Sequence, residues 1–87
     1  MFINEDECRA AGLDPKEVER IAKGLSRYAK QAHKLGLTVF GGSGTGTLRA
    51  DDGGNGALVV AVLDGHIDGG DGGTNFDSNG LERGETA

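Results

Sequence analysis

The residues best suited to chemistry lie in one short stretch. Asp64, His66 and Asp68 alternate, with Asp71 close behind. On an extended strand alternate side chains share a face, with neighbours about 7 Å apart. Carboxylates and an imidazole gathered in that way are donors that suit a divalent cation. Gly65 and the pair Gly69-Gly70 work against the geometry, because such glycines end a strand in a solvated turn. A few residues on, Asn75-Phe76-Asp77-Ser78-Asn79-Gly80 matches the first half of an EF-hand-type calcium loop. It has oxygen donors at positions one, three and five and a glycine at six. The second half departs: position eight is Glu82, position twelve is Thr86, and Glu85 falls one place early. The expectation is therefore no bound metal and no cofactor, with an Asp/His metal-binding domain as an alternative reading.

Other chemistry is weaker still. Gly41-Gly42-Ser43-Gly44-Thr45-Gly46-Thr47 invites a phosphate-loop reading, yet the lysine position is Thr47 and the hydroxyl position is Leu48. The run also leads into a strand, so no helix N-terminus would face a phosphate. Cys8, His33 and His66 fall on different elements, and no nucleophile–base motif joins them. The expectation is a protein that is not an enzyme.

Charge is more informative. Lys16, Arg20, Lys23, Arg27, Lys30 and Lys34 step by four and three, forming a basic stripe on one helix. Such a stripe could follow a phosphate backbone or an acidic protein surface. A helix-turn-helix reading of Cys8 to Arg20 conflicts with Asp14, Glu17 and Glu19 at the start of the would-be recognition helix, which repel phosphates. The net charge of −5 divides unevenly: residues 1–50 carry +2 and residues 51–87 carry −7. That division concerns partners more than fold.

The elements that must carry these residues follow from local signals. Asn4 to Glu7 reads as a capping box, opening a short helix from about Glu5 to Ala11. Asp14-Pro15-Lys16-Glu17 is a stronger start, for a long helix ending at Leu35 before Gly36. Val18, Ile21, Ala22, Leu25, Tyr28, Ala29, Ala32 and Leu35 lie on one stripe of that helix. This places Leu25 in the core. Leu37–Phe40, Thr45–Ala50 and Ala57–Leu63 read as strands, separated by glycine-rich turns. In simple alternation Val59, Ala61, Leu63 and Ile67 share one side of the last strand, and Leu58, Val60 and Val62 share the other. The second set lacks an evident cover and is expected at a dimer or partner interface. From Gly69 on, glycine and small polar residues dominate and read as a loop-like or flexible tail.

With 87 residues, one domain is expected. It is an α+β domain: helical over 4–35, a three-stranded antiparallel meander over 37–68 with the long amphipathic helix packed on it, and an acidic tail over 69–87. A single cysteine, no apolar run long enough to span a membrane and no cationic leader suggest a cytoplasmic protein.

The capped helix, the glycine-rich hairpin around Leu37–Leu63 and the acidic segment Asp64–Glu85 together resemble small phage- or mobile-element-encoded accessory proteins. These include anti-defence, anti-CRISPR-like inhibitors. The resemblance is one of type and transfers no residue role. It implies a small acidic protein that binds a protein partner and occludes a host nucleic-acid-handling machine. The acidic residues Asp64, Asp68, Asp71 and Asp77, or the apolar set Leu58, Val60 and Val62, would then dock, the apolar set in a homodimer as well. Nucleic-acid binding through the basic stripe is the alternative.

Overall fold

The computed structural model describes residues 1–70 and 72–84. The protein is α+β, with helices α1 (Glu5–Ala10) and α2 (Pro15–Lys34) followed by β1 (Leu37–Gly41), β2 (Ser43–Gly44), β3 (Gly46–Ala50), β4 (Leu58–Val62), β5 (Ile67–Asp68), β6 (Thr74–Phe76) and β7 (Glu82–Gly84). Two compact units divide it: Met1–Arg27 with Gly72–Ala87, and Tyr28–Asp71.

Helix α2 begins and ends where its caps dictate. The Asp14 carboxylate accepts a hydrogen bond from the Lys16 amide at 3.0 Å, satisfying one amide that the first turn leaves open. At the other end Gly36 takes φ +78°, and its amide donates to the His33 carbonyl at 3.0 Å. Glycine adopts that left-handed conformation without the Cβ penalty, so the helix stops there. The apolar stripe is only partly covered. Ala32 is buried, Val18 and Ala22 are half-buried, and Leu25 is 69% exposed. The expectation of a buried Leu25 is thereby corrected, and Leu25→Ala is expected to cost less than about 0.5 kcal/mol in a denaturant melt. A loss of several kcal/mol would show that Leu25 is packed after all.

The three-stranded sheet has the order β1-β3-β4, all antiparallel, as the meander requires. Strands β1 and β3 pair in regular register from Leu37↔Ala50 to Gly41↔Gly46. Strands β3 and β4 do not. Leu48 pairs with Ala61 and Arg49 with Val59, so Val60 is an extra residue in a bulge. The bulge resets the alternation. Val59 and Val62, opposite Arg49 and Thr47, join Phe40 and Thr38 on one face. Leu58 and Ala61, opposite Ala50 and Leu48, join Val39 and Leu37 on the other.

Glycine makes the next contact possible. Strand β5 returns to pair with β2, Ser43↔Asp68 and Gly44↔Ile67, and the Gly69 amide donates to the Gly42 carbonyl at 3.2 Å. A Cβ on Gly69 would meet the Gly41 carbonyl within van der Waals contact, and one on Gly46 would meet the Ile67 side chain. Gly46 is buried beneath Ile67 and Leu63, which are themselves half-buried.

The first unit holds a feature that hydropathy does not predict. The stretch expected as a loop-like tail contains a β-hairpin, β6 paired with β7 from Thr74↔Gly84 to Phe76↔Glu82. Side-chain oxygens hold it. The Thr74 hydroxyl donates to Glu82 at 2.9 Å. The N-terminal segment joins the same residues: the Asn4 amide donates to Glu82 at 3.3 Å, and the Glu82 backbone N–H donates to Glu7 at 2.7 Å. Asn4 is the N-cap of α1 by position, but its side chain makes no capping bond. Both ends of the expected capping box are turned toward the hairpin instead.

Candidate functional site

The exposed apolar surface of the sheet is the strongest candidate for function, and β4 is its centre. Leu58, Val59, Val60 and Val62 are 51%, 54%, 52% and 68% exposed. Strand β4 lies at one edge of the sheet, with β3 on its inner side. Because of the bulge, this exposed surface covers both faces. Leu58, Val60 and Val62 therefore do not form the single apolar side that strict alternation gives: Leu58 and Val62 lie on opposite faces, and Val60 is the extra residue between them. Val39 and Phe40 on β1 add exposed apolar surface. The Arg49 guanidinium lies over the Phe40 ring, 3.9 Å from its centroid, and its Nε donates to the Thr47 hydroxyl at 3.0 Å. That stacked cation is the sole Lys or Arg of residues 35–82.

The acidic residues divide between the units. Asp64 and Asp68 are exposed in the sheet unit, just beyond β4 and on β5. Asp77 belongs to the hairpin, and Asp71 lies outside the described residues. Asp77 already has partners. Its Oδ1 accepts from the Asn79 amide at 2.9 Å and the Leu81 amide at 3.0 Å, and its Oδ2 accepts from Arg83 Nε at 2.6 Å. The hydrogen bond from Arg83, then that from the Leu81 amide, holds its carboxyl below the usual value of 3.8. Asp77 is thus a structural acceptor in the hairpin turn. The same bonds account for the calcium-loop pattern. Asn75 accepts from the Phe76 amide at 2.9 Å, and Gly80, at φ +78°, closes the turn.

The other sequence motifs also find local structural uses. In the glycine run, the Gly42 amide donates to the Thr45 carbonyl and the Gly44 amide to the Gly42 carbonyl, both at 2.9 Å. Those amides close a turn and do not converge on an anion. His66 packs its ring near Gly44, and no group of three or more His, Cys, Asp or Glu residues gathers for a metal among the described residues. Cys8 is buried in α1, whereas His33 is on α2 and His66 follows β4. The basic stripe is partly neutralised: Arg20 pairs with Glu17 at 3.0 Å and Lys23 with the half-buried Glu19 at 3.2 Å. Lys16, Lys30 and Lys34 are exposed as well.

Sequence reasoning missed one concavity. A groove of about 470 Å³ in the first unit is lined by Glu7, Ala10, Ala11, Leu81, Glu82, Arg83 and Gly84. Its walls come from two segments far apart in sequence, Glu7 and Glu82 being 75 positions from each other, and no local pattern in either announces it. No helix among the described residues is long and apolar enough to cross a membrane. Comparison of the sequence and structure with protein-family models, curated proteins and solved structures finds no match.

Proposed function

We propose that this is a small, acidic, non-enzymatic binding protein that occupies a surface of a larger protein through its sheet unit. One observation supports this reading above the others: an exposed apolar strand in acidic surroundings. Strand β4 is preceded by Asp51 and Asp52 in its connecting loop and followed by Asp64, with Asp68 on β5. An apolar centre with a charged rim is the usual anatomy of a protein interface. The complementary partner presents an apolar patch ringed by Lys and Arg. Proteins that handle nucleic acid carry such basic surfaces, so occlusion of one of them by a phage-type inhibitor fits this arrangement.

The test uses paired charge reversals in the full-length protein, read as affinity for the captured partner. Asp64→Lys with Asp68→Lys is expected to weaken binding at least about tenfold, and added salt should slow association of the wild type. Lys23→Glu with Lys30→Glu should leave affinity within about twofold. The opposite pattern, with salt-dependent DNA or RNA binding by the wild type, would overturn the proposal in favour of the basic stripe. A wild type that sediments as a homodimer, becomes monomeric on Val62→Lys and binds no other protein would also overturn it.

A further inference from the structure

Two Asn-Gly steps occur in the sequence, Asn55-Gly56 and Asn79-Gly80, and the structure treats them differently. Asn-Gly is the dipeptide most open to deamidation, because glycine has no side chain to block its own nitrogen from the neighbouring amide carbon. The reaction needs that nitrogen as a nucleophile, so a backbone N–H already committed to a hydrogen bond is a poor participant. In the hairpin turn both amides are committed. The Gly80 N–H donates to the Asp77 carbonyl at 3.0 Å and the Asn79 N–H donates to the Asp77 carboxylate at 2.9 Å. In the β3–β4 loop, Asn55 and Gly56 are exposed and no hydrogen bond joins either to another described residue. Gly56 sits at φ +88° with open space where a Cβ would be. The hydrogen bonds of this loop are made earlier, by the Gly53 amide to Asp51 at 2.8 Å and the Gly54 amide to Asp52 at 2.9 Å.

We infer that Asn55 is a site of spontaneous deamidation and isoaspartate formation, and that Asn79 is protected by its turn. The Gly56 nitrogen loses its proton and bonds to the carboxamide carbon of Asn55. The bond from that carbon to the Asn55 Nδ2 breaks and ammonia leaves, giving a five-membered imide. Water then opens the imide at either carbonyl, leaving aspartate or isoaspartate. One ammonia is exchanged for one water, and no oxidant or reductant takes part. The product adds a carboxylate to a loop that already holds Asp51 and Asp52, and the isoaspartate form adds one backbone carbon just before β4. The modification therefore alters the charge beside the strand proposed above to dock, although deamidation itself does not depend on that docking.

The experiment ages the full-length protein at mildly alkaline pH, in native buffer and in denaturant. Peptide mass spectrometry and isoaspartate methyltransferase labelling then read each site separately. In native buffer Asn55 is expected to convert at least about fivefold faster than Asn79, the effect of hydrogen bonds that must open first. In denaturant the two rates should agree within about twofold, since both are then unstructured Asn-Gly steps. Asn55→Gln should abolish conversion at that position and leave the Asn79 rate unchanged. Equal native rates, faster conversion at Asn79, or a difference that persists in denaturant would each overturn the inference. The partner-binding assay stands apart from these readouts, so either idea can fail alone.

Discussion

Gly69→Ala is expected to destabilise the sheet unit by about 1–3 kcal/mol, the usual cost of forcing an extra methyl into a filled space. The added Cβ would press on the carbonyl of Gly41, which is backbone and lacks the freedom of a rotamer to swing aside. Relief requires β5 to lift from β2, and with it the pairs Ser43↔Asp68 and Gly44↔Ile67 and the bond from the Gly69 amide to Gly42. The neighbouring glycine supplies the control. A Cβ on Gly70 meets nothing within 4 Å. Gly70→Ala should therefore be neutral or stabilising by up to about 1 kcal/mol, through the reduced freedom of the unfolded state. Denaturant unfolding of both variants reads the difference. Equal midpoints for the two would sink the idea that Gly69 is there for close approach.

Asp77→Ala should open the β6–β7 turn. Three donors converge on that carboxylate, and no other acidic residue among those described gathers as many. The Asn79 and Leu81 amides should lose their protection from hydrogen exchange in Asp77→Ala. Asp77→Asn keeps a carbonyl oxygen for them and should retain part of it, while losing the charge that holds Arg83. Unchanged protection in Asp77→Ala would contradict the assignment. The pH dependence has a definite sign. The folded-state pKa is depressed, so the carboxylate's contribution is complete above its ordinary value of 3.8 and disappears as the pH falls through the lower folded value. The turn should accordingly keep its protection at neutral and weakly acidic pH and lose it only below that range.

What the sequence disclosed and what it hid divide along range. Helix α2 was legible because its signals are contiguous. Asp14, Pro15 and Gly36 fix its ends within a residue, since a cap acts on amides two or three positions away. The strands of the meander were legible for the same reason, from β-branched runs between glycine turns. The Val60 bulge was not, because an extra residue in a ladder is a property of two strands and leaves no mark on one. It moved Leu58 and Val62 to opposite faces, and with them the expected docking side. The β6–β7 hairpin escaped because its stabilising groups are Asp77, Arg83, Thr74 and Glu82, polar residues that composition assigns to a solvated tail. Asn4 and Glu7 were read as partners of each other, the nearest ones available. Their real contacts lie at Glu82, 78 and 75 positions away.

Those last separations bear on the order in which the protein is built. A ribosome delivers residues from the N-terminus onward, and structure forms as soon as its partners have emerged. Every strand pairing from β1 to β5 is complete once Asp68 is out. Asn4 and Glu7 are made well before Glu82, and their bonds to it must wait until it has emerged. During synthesis the sheet is thus the earlier product, and the unit closed by Asn4, Glu7 and Glu82 is the later one. Its closure spans 75 to 78 residues, yet loop entropy grows only logarithmically with length. The delay is therefore one of timing far more than of free energy.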